Sequence, residues 1–240
     1  MSGPGQPEIL LVGAGGLGSP AALVLARAGA ARLTLIDDDV VDRTNLHRQV
    51  LYGDEDVGRP KVERAAARLR TEGASVETIE GRLLPDRAVE LVSRFDLVVE
   101  GADNFATKFL ASDACRLAGV PLVSAGAVRW TGWALAWHPG AAGACLRCVF
   151  EDIPRDRVET CAEAGVVGAV VGVIGALEAA LAQRILLGDR AAAGELWSYR
   201  ALPGSLRASR VRPRAGCESC LGAIPTELAA SRYAPPACEY

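Results

Sequence analysis

The run LLVGAGGLGSPAALVLARAGAARLTLIDDD, residues 10–39, places an apolar strand, a glycine turn, an alanine-rich helix and a second strand in immediate succession. That order commits the start of the chain to a parallel β-α-β unit, the beginning of a doubly wound α/β fold. Gly13, Gly15, Gly16 and Gly18 satisfy G-x-G-x-x-G between the strand and the helix, and Asp37 lies about 20 residues further on, where it can meet a ribose hydroxyl. Glycines let the backbone approach a phosphate closely, and the helix N-terminus supplies N–H donors and partial positive charge. NAD, FAD and ATP sites all use this pattern, and so do some purely structural turns, so the glycines alone do not choose a ligand.

The rest of the chain extends the same architecture. Short apolar or β-branched runs at Ile9–Val12, Arg32–Ile36, Ser75–Ile79, Asp96–Glu100 and Pro121–Val123 predict strands. Between them, helices are predicted at Leu17–Ala28, Pro60–Thr71, Pro85–Ser93 and Asn104–Ala118, with Pro60 and Pro85 suited to first-turn positions. After Val123 the pattern changes. Trp130–His138 reads as an antiparallel strand, and further strands are predicted near Leu196–Tyr199 and Ser205–Val211. The expected fold is therefore a Rossmann-like doubly wound sheet, parallel in its N-terminal half and extended by antiparallel strands in its C-terminal half. The tail from Ser231 to Tyr240 is expected to be mobile, with no role for Cys238.

Composition removes several function classes. A net charge of −3 over 240 residues offers nothing for nucleic acid. The stretch Gly165–Gly188 is apolar, but it carries Glu178 and Arg184 and its uninterrupted part is shorter than the roughly 20 residues a membrane span needs. A buried helix is expected there, with Gly168, Gly172 and Gly175 allowing another helix to approach. The opening MSGPGQP lacks the basic start and apolar stretch of a secretory signal, so a cytosolic protein is expected. In that compartment its seven cysteines point to metal or chemistry rather than to disulfides.

The choice of nucleotide rests on the segment Asp37–Ala65. Where a dehydrogenase passes quickly from the ribose acid into a helix, this chain has a loop of about 20 residues carrying Asn45, Arg48 and Gln49, followed by Lys61. Guanidinium, ammonium and amide groups together suit a polyphosphate. The loop's remaining acids, Asp38, Asp42, Asp54 and Asp56, read as solvated charges. No serine or histidine sits in a hydrolase arrangement.

Asp37-x-Asp39, Thr44-Asn45-Leu46-x-Arg48-Gln49, Gly58-x-Pro60-Lys61 and Asp103-Asn104 together resemble the ThiF/MoeB/HesA family of ubiquitin-activating-enzyme-like adenylyltransferases, over residues 8 to about 222. The resemblance implies a homodimer that uses Mg-ATP to adenylate the C-terminal glycine of a small ubiquitin-like sulfur-carrier protein with a Gly-Gly end. Such a reaction serves thiamine, molybdopterin or specialised-metabolite synthesis. It further implies that Gly16 and its neighbours contact the nucleotide and that Asp37 binds the ribose. Asn45, Arg48 and Lys61 would contact the triphosphate, and Asp103 would hold Mg²⁺ with Asn104 beside it. On this reading one domain spans residues 1–240: a nucleotide-binding half at 8–123, a carrier-binding and zinc half at 124–222, and a tail at 223–240.

Cys145-Leu-Arg-Cys148 and Cys217-Glu-Ser-Cys220 form two C-x-x-C pairs about 70 residues apart, the spacing of a closed tetrahedral zinc site. Cys161 precedes the apolar helix, where a thiol can be activated; the resemblance gives it a role in a thioester or acyl-disulfide, with adenylation not requiring it. Cys115 reads as core. Two departures from the family pattern stand out. No R-Y-x-R-Q-type arginine motif precedes the first strand, and Lys108 occupies a position where the family usually has arginine. These leave open a catalytically degenerate relative that binds nucleotide or carrier without turnover.

Overall fold

The computed structural model describes residues 5–29, 31–153, 165–223 and 226–233. The apolar runs form one sheet of eight strands: β1 (Glu8–Val12), β2 (Arg32–Asp37), β3 (Val76–Glu80), β4 (Leu97–Glu100), β5 (Leu122–Val128), β6 (Thr131–Trp137), β7 (Glu195–Arg200) and β8 (Ser205–Arg210). Their order across the sheet is β3-β2-β1-β4-β5-β6-β7-β8. The first five are parallel, and β6 to β8 are added antiparallel. β5 runs five residues past its expected end at Val123, because the antiparallel pairing continues from Leu122 opposite Trp137 to Val128 opposite Thr131.

Both faces of the parallel part are covered, which is why its strands read as continuous apolar runs. Ile9, Leu11, Leu97 and Val99 point to one side, where they pack with α1 (Gly18–Ala28), α2 (Lys61–Thr71) and the long apolar helix Gly168–Leu186. Leu10, Val12 and Val98 point to the other, against α3 (Ala88–Val92), α4 (Phe105–Ala118) and the short helix α5 (Leu146–Phe150). The helix Gly168–Leu186 is α6, and α7 is Glu218–Leu221.

Helix starts differ from expectation by a few residues, each for a local reason. Pro60 stands just ahead of α2 in extended geometry. Pro85 lies in a turn that ends where α3 begins at Ala88. Asn104 caps α4 by accepting a hydrogen bond from the Thr107 N–H at 2.8 Å.

By length and composition α6 could cross a membrane, yet it packs against the sheet and, beside it on the same face, against α1. The small residues expected to admit a neighbour do so unevenly. A Cβ on Gly175 would stand 2.5 Å from Pro20 Cγ and 2.6 Å from the Leu17 carbonyl oxygen, so the two helices touch here nearly backbone to backbone. Gly168 lies against the His47 carbonyl, whereas Gly172 faces open space.

Glu178 is the exception on this buried face. Its side chain is fully enclosed, and neither carboxylate oxygen has a hydrogen-bond partner among the described residues. Burial raises its pKa well above the ordinary value, Glu100 adds to the shift and Lys108 opposes it. A group that holds its proton more tightly folded than unfolded loses stability as pH climbs above the unfolded pKa of about 4.3, at about 1.4 kcal/mol per unit until the folded pKa is reached. Glu178→Gln is therefore expected to melt at a higher temperature than the wild type at pH 8, with the gap closing by pH 4. Thermal unfolding followed across pH measures this, and parallel curves for the two proteins would refute it.

Candidate active site

The strand order reverses between β1 and β4, and the C-terminal ends of the strands around this point are the place where open α/β sheets hold ligands. A cavity of about 490 Å³ opens there. Its floor is set by glycines. Gly13 has φ of +89° and donates its N–H to the Ile36 carbonyl at 2.9 Å. A Cβ on Gly18 would collide with the Gly13 carbonyl oxygen, and one on Gly101 would come within 3.0 Å of the Gly18 nitrogen. Gly13, Gly18 and Gly101 thus let two loops and a helix start meet.

Gly15 and Gly16 differ. A Cβ there would make only ordinary contacts, with Gln49 Nε2 at 3.6 Å and Arg48 Cδ at 3.5 Å, and both residues line the cavity. What they keep clear is ligand space. The first turn of α1 has no side-chain cap and no acid; the Ser19 and Ala21 N–H groups bond back to the Gly15 and Leu17 carbonyls and Pro20 has none, so it is the turn of Gly15, Gly16 and Leu17 that lines the cavity with no acid in the helix start beside it.

Asp37 lines the cavity at the end of β2, with Oδ2 accepting from the Ala14 N–H at 2.7 Å and Oδ1 from the Asp39 N–H at 2.9 Å. It therefore braces the glycine turn as well as offering remaining lone pairs to a ribose, a structural duty the sequence reading missed. Burial raises its pKa, opposed chiefly by the charge on Lys61. Lys61 is itself buried and pairs with Asp39 at 2.8 Å. Arg48 and Gln49 stand over the glycines, and Gln49 Oε1 is buried without a partner among the described residues. Asn45 does not line the cavity; its Oδ1 accepts from Arg48 Nη2 at 2.6 Å and so aims the guanidinium. Asp103 and Asn104 close the β4 side, both exposed, with Asn104 Oδ1 already capping α4. The exposed Asp103 carboxylate fits a divalent cation that would sit on phosphate oxygens.

Several expectations need correction. Asp56 is not a solvated charge: it is buried, accepts from the Gly53 N–H at 3.0 Å and pairs with Arg64. Of the other loop acids, Asp38 pairs with Arg82 and Asp54 with Arg43, and Asp42 Oδ1 accepts from the Thr44 N–H at 2.7 Å. Lys108, at the position where the family usually has arginine, does not line the cavity; it is buried against Glu100 at 3.1 Å and against the Ala125 carbonyl. Ser124 Oγ completes that cluster by donating to Glu100 at 2.6 Å. The tail reading fails for its first residues, because Arg232 and Tyr233 are fixed against the buried Asp113. Cys161 and Cys238 lie outside the described residues. Missed altogether were the apolar wall of Leu83, Leu84 and Pro85, the contribution of Val171 from α6, and Tyr233. The Leu-Leu-Pro run carried a visible apolar signal; Tyr233 carried none.

The four cysteines converge. Sγ–Sγ separations are 3.7 Å for Cys145–Cys148, Cys145–Cys217 and Cys145–Cys220, and 3.4 Å for Cys148–Cys220. Zn–S bonds of about 2.3 Å in a tetrahedron put sulfurs about 3.8 Å apart, so the spacing fits zinc. With four protein ligands no coordination position is left for water, and the metal would be structural, clipping the segment after β8 to α5.

A cavity over a glycine turn at the strand-order reversal, with a clustered cationic loop, defines a Rossmann-like nucleotide-binding protein. The ThiF family model matches residues 6–220, and the chain belongs to that family. The adenylyltransferase and sulfurtransferase MOCS3 of Bos taurus is 45% identical over 223 residues, 91% of this chain and 49% of the bovine protein. The chain thus spans about half the length of that relative. A sulfur carrier protein adenylyltransferase of Thermus thermophilus is 41% identical over 230 residues, covering 92% of this chain and 84% of that protein. Among solved structures, E. coli MccB with ATP superimposes with a TM-score of 0.77 at 23% identity, over 89% of this chain and 66% of that one, a likeness of fold.

Purified protein is expected to hold about one equivalent of zinc per chain, and Cys145→Ser or Cys217→Ser to lose it. Metal analysis finding less than half an equivalent in the wild type would count against the site.

Proposed function

We propose that the chain is an ATP-dependent adenylyltransferase acting on the C-terminal glycine of a small ubiquitin-like sulfur-carrier protein. The observation that carries this reading is Arg48 and Lys61 lining one cavity with Gly15, Gly16 and Leu17 of the glycine turn, so that cations and close-approaching backbone converge where a triphosphate would lie. The names borne by relatives of similar length support the choice of reaction.

In this reaction a carboxylate oxygen of the carrier's terminal glycine attacks the α-phosphorus of ATP. The bond to the bridging oxygen breaks and pyrophosphate leaves with the electron pair; no proton moves. The difficulty is bringing two anions together and stabilising the leaving charge. Arg48, held by Asn45, and Lys61 neutralise the phosphates, the glycine turn lets backbone N–H groups reach them, and Asp37 fixes the ribose. Magnesium held by Asp103 would supply further neutralisation. Lys61 has to share its charge between Asp39 and the phosphates.

The partner is a carrier with a free Gly-Gly end, received by the half spanning residues 124–222, in a sulfur-transfer pathway of the cytosol. A homodimer is supported by exposed Trp130, Leu202 and Leu206 around the antiparallel strands. Cys161 serves a later covalent step, if any, and not adenylation.

ATP–pyrophosphate exchange, with candidate carriers supplied one at a time, tests this. Exchange should require a carrier ending in Gly-Gly. Lys61→Ala should lower it 100-fold or more, in line with about 3 kcal/mol for one charge-stabilising contact, while Cys161→Ala should leave it intact. Undiminished exchange in the Lys61 variant would overturn the phosphate assignment. ATP binding without exchange under any carrier would leave a nucleotide-binding relative that does not turn over.

A further inference from the structure

The cavity has two chemically distinct ends. One is polar: Gly15, Gly16, Arg48, Gln49 and Lys61. The other is apolar, beyond Asp37, where Ile36, Leu83, Pro85 and Leu110 come together with Tyr233 and Ala230. If the phosphates occupy the first and Asp37 takes the ribose between them, the only part of the nucleotide left for the apolar end is its base.

Two of those wall residues come from the far end of the described chain, past the cysteine cluster. Their placement is enforced by a buried carboxylate. Asp113, on α4, is fully enclosed. It accepts both arms of the Arg147 guanidinium at 2.8 and 2.7 Å and the Tyr233 hydroxyl at 2.8 Å. Arg147 stands between Cys145 and Cys148, and Arg232 is held by Glu218, next to Cys217, at 2.8 Å. Tyr233 is 6% exposed, and with its hydroxyl bonded away to Asp113, the ring is what it presents to the cavity.

We propose that Tyr233, with Ala230 beside it, forms the wall against which the adenine base of ATP packs, so that the segment following the cysteine cluster completes the nucleotide site. This rests on reading the cavity as an ATP site. An aromatic ring at this position gives base-dependent affinity and contributes nothing to the phosphates.

The test compares equilibrium binding of Mg-ATP with that of inorganic tripolyphosphate, which has no base, to the full chain. Tyr233→Ala should bind ATP about tenfold more weakly and tripolyphosphate as the wild type does. Tyr233→Phe, which keeps the ring, should stay within about threefold of wild type for ATP. Should the alanine variant not fold, Tyr233→Leu fills the space without a π-face and is expected to show the same selective loss. Unchanged ATP binding in the alanine or leucine variant, or equal weakening of both ligands, overturns the proposal. A wild type that binds tripolyphosphate but not ATP would instead sink the ATP reading beneath it.

Discussion

The close approach of the turn after β1 to the first residue of α1 is the constraint on which the rest depends. No side chain fits on Gly18 because the Gly13 carbonyl occupies its place, and Gly101 brings the loop after β4 against the same nitrogen. Three glycines from two loops therefore lock the crevice at the strand-order reversal before any functional residue is added. Asp37 then ties the turn to β2 through the Ala14 N–H. A rigid crevice of this kind lets the long loop before α2 vary in composition while its Arg48, Gln49 and Lys61 still arrive at a fixed target.

The second half of the molecule depends on a different device. β6 to β8 extend the sheet, and the segment after β8, which buries only Cys217, Leu228 and Tyr233 in the apolar core, is attached largely through polar chemistry. Four thiols at zinc spacing would hold α5 to α7 through the metal, and Asp113 gathers Arg147, Arg232 and Tyr233. An enclosed carboxylate with this many donors is compensated for leaving water, whereas removing one donor would leave charge uncompensated. The cysteine cluster and the nucleotide cavity are thereby mechanically continuous through α4, whose N-terminus borders the cavity and whose middle carries Asp113.

Most of the fold was legible because hydrophobic periodicity and glycine placement are local signals. Strand positions agree to within a residue or two for β1 to β4, and the change to antiparallel strands after Val123 was visible as a change in pattern. Helix ends were less so: whether Pro60 opens α2 or precedes it turns on a single ψ angle. In the cavity lining, Arg48, Gln49 and Lys61 were legible because residue types clustered between the second strand and α2, whereas Asp103 came only with the family resemblance. Asp56 was misread because burial of a charge is decided by a partner on another element, here Arg64 on α2. Tyr233 was invisible for the same reason, its anchor lying 120 residues earlier.

Glu178 has a meaning beyond the folded state. It falls in the middle of a nineteen-residue helix that, even with Glu178 and Arg184 in it, is long and apolar enough to cross a membrane. An aspartate, lysine or arginine at the centre of such a segment raises the free energy of entering a bilayer by roughly 2.5–3.5 kcal/mol, and the glutamate carboxyl acts in the same direction. A nascent chain emerging with this stretch uncovered is thereby discouraged from partitioning into membrane before the sheet has formed to receive it. The same carboxyl that weakens the finished core protects the route to it.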